Sequence, residues 1–310
     1  MTSRAVIVAA AGAMLMGASA PPVERVVTGD GVVAVTVNGV QGRLRIDPGA
    51  PGLPLLTPEF AERAGLKGGG LLSFGVNYRV GPQSVSGRTQ VARISFGRTP
   101  AKQRLAWTAR PYASGVDAVA GPAGLDEPVV RFMLRTPQAG ERTATLPMAK
   151  MGGLFASWFG SYAEITVGGA PMLVRFDPHH ARTVANASAA TRLAAAFGGR
   201  LEGLAGEQEI AFGIERPVRG MVLARPVPIG PLSLGALAVR TADGGSVASI
   251  PDAAAARVPA ADPDEVVVTA RGKKHDPRRD QLTLGADQLD RCSSIVFDKP
   301  ARQIRLSCLA

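Results

Sequence analysis

One stretch of this chain recurs 130 positions later, and the recurrence restricts the possible folds more than any other feature. "VTVNGVQGRLRIDP" (35–48) aligns without a gap with "ITVGGAPMLVRFDP" (165–178). Thr36 matches Thr166, Val37 matches Val167, Gly39 matches Gly169 and Arg45 matches Arg175; Asp47 matches Asp177, and Pro48 matches Pro178. Each copy reads as strand, tight turn at the glycine, then a strand ending at Asp. A short helical signal follows each copy. In the first it is "TPEFAERAGL", with Thr57 as N-cap, Pro58 in the first turn and Gly65 at the stop; in the second it is "NASAATRLAAAFGG", ending at Gly198. Later, "GVDAVAGPAGLD" (115–126) and "QLTLGADQLD" (281–290) share Gly121/Gly285, Leu125/Leu289 and Asp126/Asp290. Two lobes on one plan are therefore expected, the first over 22–145 and the second over 160–310, joined by a linker at 146–159. The 37 Gly and 24 Pro among many short Val-rich runs point to strands and turns rather than a helical bundle.

Residues 1–20 read as a signal peptide: Arg4, the apolar run 5–16, which is too short to span a bilayer, and the small-x-small "ASA" at 18–20. No other segment is apolar and long enough to cross a membrane, so an exported protein, periplasmic or secreted, is expected. The two cysteines suit that compartment. Cys292 and Cys308 flank two alternating runs around "DKPAR". Pairing about that turn sets 296 opposite 304 and the two cysteines opposite each other, predicting a disulfide. The net charge of +10 comes largely from scattered Arg. Aromatic interleaving, finger spacings and a recognition-helix pattern are absent, so no nucleic-acid partner is expected.

The ordered set of motifs resembles the aspartic peptidases, especially bacterial retropepsin-like proteins and their two-lobed pepsin-like relatives. "RIDPGA" (45–50) and "RFDPHH" (175–180) stand where that family has Asp-Thr/Ser-Gly; "AVAG" (118–121) and "LTLG" (282–285) stand at its later apolar-Gly element. The resemblance implies a mostly β fold of two homologous β-barrel lobes with short helices. It also implies a cleft between the lobes, Asp47 and Asp177 as catalytic pair, and hydrolysis of a peptide or protein substrate without a cofactor. Two carboxylates held close cannot both ionise cheaply, so such a pair shares a proton. The charged member then activates a water while the protonated one hydrogen-bonds the scissile carbonyl. The supporting loops depart from the family pattern. Pro48 and Pro178 carry neither the hydroxyl nor the N–H that brace the two loops. Gly49 and Ala50 fit, but His179 and His180 replace their counterparts. The alternative is a catalytically inactive relative that binds an extended peptide or an envelope partner in the same cleft.

A metal at Asp177, His179 and His180 is not expected, because adjacent strand residues point to opposite faces. "FGVNYRVGPQSVSGR" (74–88) reads as a hairpin, with Tyr78 at or near the tip of a possible flap. Residues 243–280 form a small-residue, Pro-rich and charged insertion, expected to be a mobile loop. Within it "DEVVVTAR" resembles the TonB-box segment of outer-membrane receptors. That likeness implies an envelope partner pairing through 265–271, against the plainer reading of a strand of the second lobe.

Overall fold

Both copies of the repeat form the same hairpin, closed by two residues of positive φ: Asn38 and Gly39 (49° and 88°) in the first, Gly168 and Gly169 (57° and 78°) in the second. Such turns match the twist of paired strands and favour Asn and Gly. The computed structural model describes residues 23–69, 73–97, 99–151, 158–253, 276 and 279–309. The proposed signal peptide and the 265–271 segment lie outside the described residues.

The first half runs β1 (Glu24–Val27), β2 (Val32–Val37), β3 (Val40–Ile46), β4 (Leu55–Leu56), α1 (Pro58–Arg63), β5 (Gly75–Val80), β6 (Gln83–Ser95), β7 (Ala101–Thr108), β8 (Ala118–Ala120), β9 (Val129–Met133) and β10 (Arg142–Pro147). The second runs β11 (Ala163–Val167), β12 (Ala170–Phe176), β13 (Val184–Ala185), α2 (Ala187–Phe197), β14 (Gly199–Ala211), β15 (Ile214–Ile229), β16 (Leu232–Arg240), β17 (Gln281–Leu284), α3 (Ala286–Leu289), β18 (Cys292–Asp298) and β19 (Gln303–Cys308). The fold is mostly β. The two seven-stranded sheets share one topology: β2-β3-β8-β4-β7-β6-β5 and, strand for strand, β11-β12-β17-β13-β16-β15-β14. In the first, β2 also pairs with β6, which closes six strands into a barrel. No matching pairing of β11 with β15 is present among the described residues.

The helices begin where their caps place them. Thr57 Oγ1 accepts from Phe60 N at 3.2 Å, and Asn186 Oδ1 accepts from Ala189 N at 3.0 Å. Gly198, at φ 73°, ends α2. The inward faces of β3 and β12 bury Leu44, Ile46, Val174 and Phe176 in one apolar core that also holds Phe60 of α1 and Leu193 of α2.

A third sheet, β1-β9-β18-β19-β10, draws strands from both halves. Phe297 of β18 meets Phe132 of β9 and Phe176 of β12 edge-on, so the joining sheet packs directly under the second repeat hairpin. Cys292 and Cys308 are joined in a disulfide across β18 and β19. The register differs from the simple expectation. Val296 faces Arg305 and Phe297 faces Ile304, and an extra residue at Ser293 restores Cys292 opposite Cys308. A bulge absorbs a one-residue offset that turn-centred counting could not see.

Two segments have ends that differ from the sequence reading. Residues 146–147, assigned to the linker, are the last two of β10 and pair with β19. The insertion is anchored at both ends. Asp243 is buried and held by Arg216 and Arg240, Ile250 is buried, and Asp252 pairs with Arg219. Asp280 is buried against Arg192 and Ser188. Asp243 and Asp280, counted as marks of a solvated loop, are spent on buried ion pairs, while residues 254–275, 277 and 278 lie outside the described residues. Among the described residues no helix is long and apolar enough to cross a membrane.

Candidate functional site

Asp47 and Asp177 each follow the end of the second strand of their hairpin, and the backbone around them is duplicated. Asp47 N donates to Ala120 O (3.0 Å) of β8, and Asp177 N donates to Leu284 O (2.9 Å) of β17. Ala50 N then donates to Asp47 O, and His180 N to Asp177 O. The apolar-Gly elements explain their glycines. A Cβ on Gly121 would lie 2.1 Å from Ala50 O, and one on Gly285 would lie 2.5 Å from Arg182 C. Each Asp loop is thus held from below by a backbone that tolerates no side chain.

The two loops meet. A Cβ on Gly49 would stand 2.9 Å from Asp177 Oδ2 and 3.0 Å from Arg175 Nε, so the bare glycine lets the first loop close on the second. The approach is not reciprocal: His179, at the matching position, is exposed and lies beside Pro48, Pro178 and Asp30 on another face. Both carboxylates are buried, Asp47 to 3% exposure and Asp177 to 1%.

Their surroundings differ sharply. Asp47 accepts a hydrogen bond from Gly49 N at 2.7 Å. Burial, then the charge of Asp177, pushes its carboxyl up to about 6. Asp177 Oδ2 takes Arg175 Nη2 at 2.8 Å and lies 2.9 Å from His180 Nδ1, while Oδ1 is buried without a hydrogen-bond partner. Burial pushes this carboxyl up too, but the Arg175 charge and the His180 contact outweigh it and hold it below the usual carboxylate range. His180 is raised in turn, because the Asp177 bond and charge overcome its own burial.

Tyr112, in the β7–β8 connection, completes the cluster. Its hydroxyl donates to Gly49 O (3.3 Å) and accepts from Arg175 Nη2. One arginine of the second half thus ties Asp177 to a tyrosine of the first. The prolines after each Asp offer no such tie, and Arg175–Tyr112 supplies it instead. Repetition marked Arg175 in the sequence but not its partner, and no local signal marks Tyr112. The equivalent Arg45 has a buried Nε without a partner and forms no ion pair among the described residues.

Above this cluster lies a cavity of about 180 Å³, lined by Arg175 and His180 but by neither Asp. Two hairpins cover it. β5 and β6 turn at Gly81 and Pro82, so Tyr78 sits three residues before the tip, facing inward, rather than at it. Gly81 rests against Asp243 of the second half, where a Cβ would lie 2.1 Å from Oδ1. The topologically equivalent hairpin, β14–β15, turns at Phe212 and Gly213, both at positive φ (59° and 64°). Phenylalanine in that conformation is strained. Its ring, 4% exposed, sits between Tyr78 and Tyr112 at 5.3 and 5.1 Å. It also joins the first half's apolar cluster of Leu53, Val80 and Val85. Each hairpin tip therefore docks on the opposite half. The signal for the second was "AFGI" between alternating residues, a two-residue turn with Phe where Asn is usual.

Among the described residues no group of three His, Cys, Asp or Glu is placed to hold a metal ion. No protein-family model matches the chain, and no curated protein matches it.

Proposed function

We propose that this chain is an exported, peptide-binding protein of the aspartic-peptidase type, whose paired aspartates join its halves rather than cut the ligand. The observation that carries this reading is the engagement of Asp177 Oδ2 by both Arg175 and His180. A general base works best with a pKa near the working pH. A carboxylate held low by a buried guanidinium is a weak base, and both partners stand between it and the cavity. Pro48 and Pro178 removed the family's brace, and the Arg175–Tyr112 tie replaces it in a form that occupies the carboxylate. Export rests on the N-terminal segment and agrees with the disulfide.

Hydrolysis is the second reading, and one observation favours it. The pair is already split, with Asp47 carrying a proton below about pH 6 and Asp177 ionised. That is the charge state a water-activating dyad uses. The test is a peptide library incubated with the mature protein from acidic to neutral pH, reading cleavage and binding together, beside Asp47→Ala and Asp177→Ala. Saturable binding with no cleavage by folded protein is expected. Cleavage abolished by both substitutions would overturn the binding reading in favour of hydrolysis.

A further inference from the structure

We propose that the cavity beneath the two hairpins anchors the free C-terminal carboxylate of a peptide, with Arg175, Arg79 and His180 holding the anion. This rests on the peptide-binding reading above and names the part of the peptide that is recognised.

Charge is the first argument. Three arginines and one histidine line the cavity (Arg79, Arg175, Arg240, His180), against a single carboxylate, Glu209. Glu209 is turned to its own hairpin, where Oε1 accepts from Gly213 N at 3.0 Å. Arg240 is spent on Asp243. The other cations are not exhausted. Arg175 uses Nη2 on Asp177 and Tyr112, and its Nη1 has no partner among the described residues. His180 Nδ1 lies 2.9 Å from Asp177 Oδ2, and no hydrogen bond of its Nε2 is present among the described residues. Arg79, exposed on β5, has no hydrogen bond or ion pair among the described residues. A guanidinium presents paired N–H donors that match a carboxylate. Arg79, from the exposed face of β5, lines the same small space as Arg175 and His180.

Shape is the second argument. At about 180 Å³ the cavity falls below the roughly 300 Å³ at which drug-sized pockets begin. A strand running through it would have to part Phe212 from Tyr78 and Tyr112. A chain end enters without doing so. Val80, Val184 and Ile210 leave an apolar wall for the last side chain.

The test is a fluorescence-anisotropy titration of the mature protein with a pool of labelled hexapeptides bearing free C-termini, and with the same pool amidated. Loss of a charge-assisted contact predicts about 10- to 100-fold weaker binding of the amides. Arg79→Ala, an exposed change that leaves the buried cluster intact, is expected to remove most of that preference; Arg175→Lys tests the buried donor. Equal binding of acids and amides would overturn carboxylate anchoring while leaving peptide binding standing. Binding of neither pool by folded protein would overturn both.

Discussion

The two Asp loops share a backbone plan and differ in almost everything a proton would notice. Asp47 and Asp177 end equivalent strands, donate their N–H groups to equivalent carbonyls and sit over equivalent glycines. Yet the first is pushed up to about 6 and the second is held low. The difference lies one strand position pair upstream and three residues downstream. Arg175 pairs with Asp177 where Arg45 does not pair with Asp47, and His180 stands where the first loop has Ala50. A duplicated fold thus sets where two carboxylates meet, while a few side chains set which of them holds the proton.

The sharpest way to break this comparison is to remove the arginines one at a time. Arg175→Met leaves Asp177 as a buried charge short of its main partner. A loss of about 3–5 kcal/mol is expected in urea unfolding, against about 1 kcal/mol or less for Arg45→Met. Equal losses would mean that the ion pair does not distinguish the halves.

The hairpins make the second contrast. One tip is a glycine that can only lie against Asp243; the other is a phenylalanine bent into a conformation it disfavours so that its ring can cross into the first half. Phe212→Ala should cost about 3 kcal/mol, from lost ring burial with the backbone strain retained. If the melting temperature is unchanged, the docking of the second hairpin contributes nothing to holding the halves together.

The last contrast, in pH dependence, is the one most particular to the pair. Asp47 has a folded pKa above its ordinary value, so it favours the folded state fully only at low pH. That contribution is lost as pH rises from about 4 to about 6. Asp47→Asn should therefore be more stable than the parent at pH 8, by up to about 3 kcal/mol, and match it near pH 3.5. Asp177 is shifted the other way, and its stabilising effect is lost as pH falls through its lowered pKa. Asp177→Asn should therefore lose stability at neutral pH and converge with the parent in acid. Parallel profiles for the two variants would refute the asymmetry.

Much of this was legible before any coordinate. Strand alternation, the Gly-closed hairpins, Thr57 as a cap, Gly198 as a helix stop and the facing cysteines are all local patterns, set by residues within a few positions of one another. The repeat put Asp47 and Asp177 at matching strand ends for the same reason. Local patterns also misled: the charges of Asp252 and Asp280 read as loop, because their arginine partners lie 33 and 88 residues away. The bulge at Ser293 was invisible because register answers to the whole sheet rather than to the turn.

The sequence by itself determined a two-fold repeated, strand-built chain with one carboxylate per repeat, since turn chemistry and side-chain period act over short range. Only the tertiary structure decided what those carboxylates face. Arg175 reaches Tyr112 across 63 residues, and Phe212 lies between Tyr78 and Tyr112 on the opposite half. Such contacts arise when two sheets close on each other, where burial makes each charge seek whatever partner the packing brings within reach.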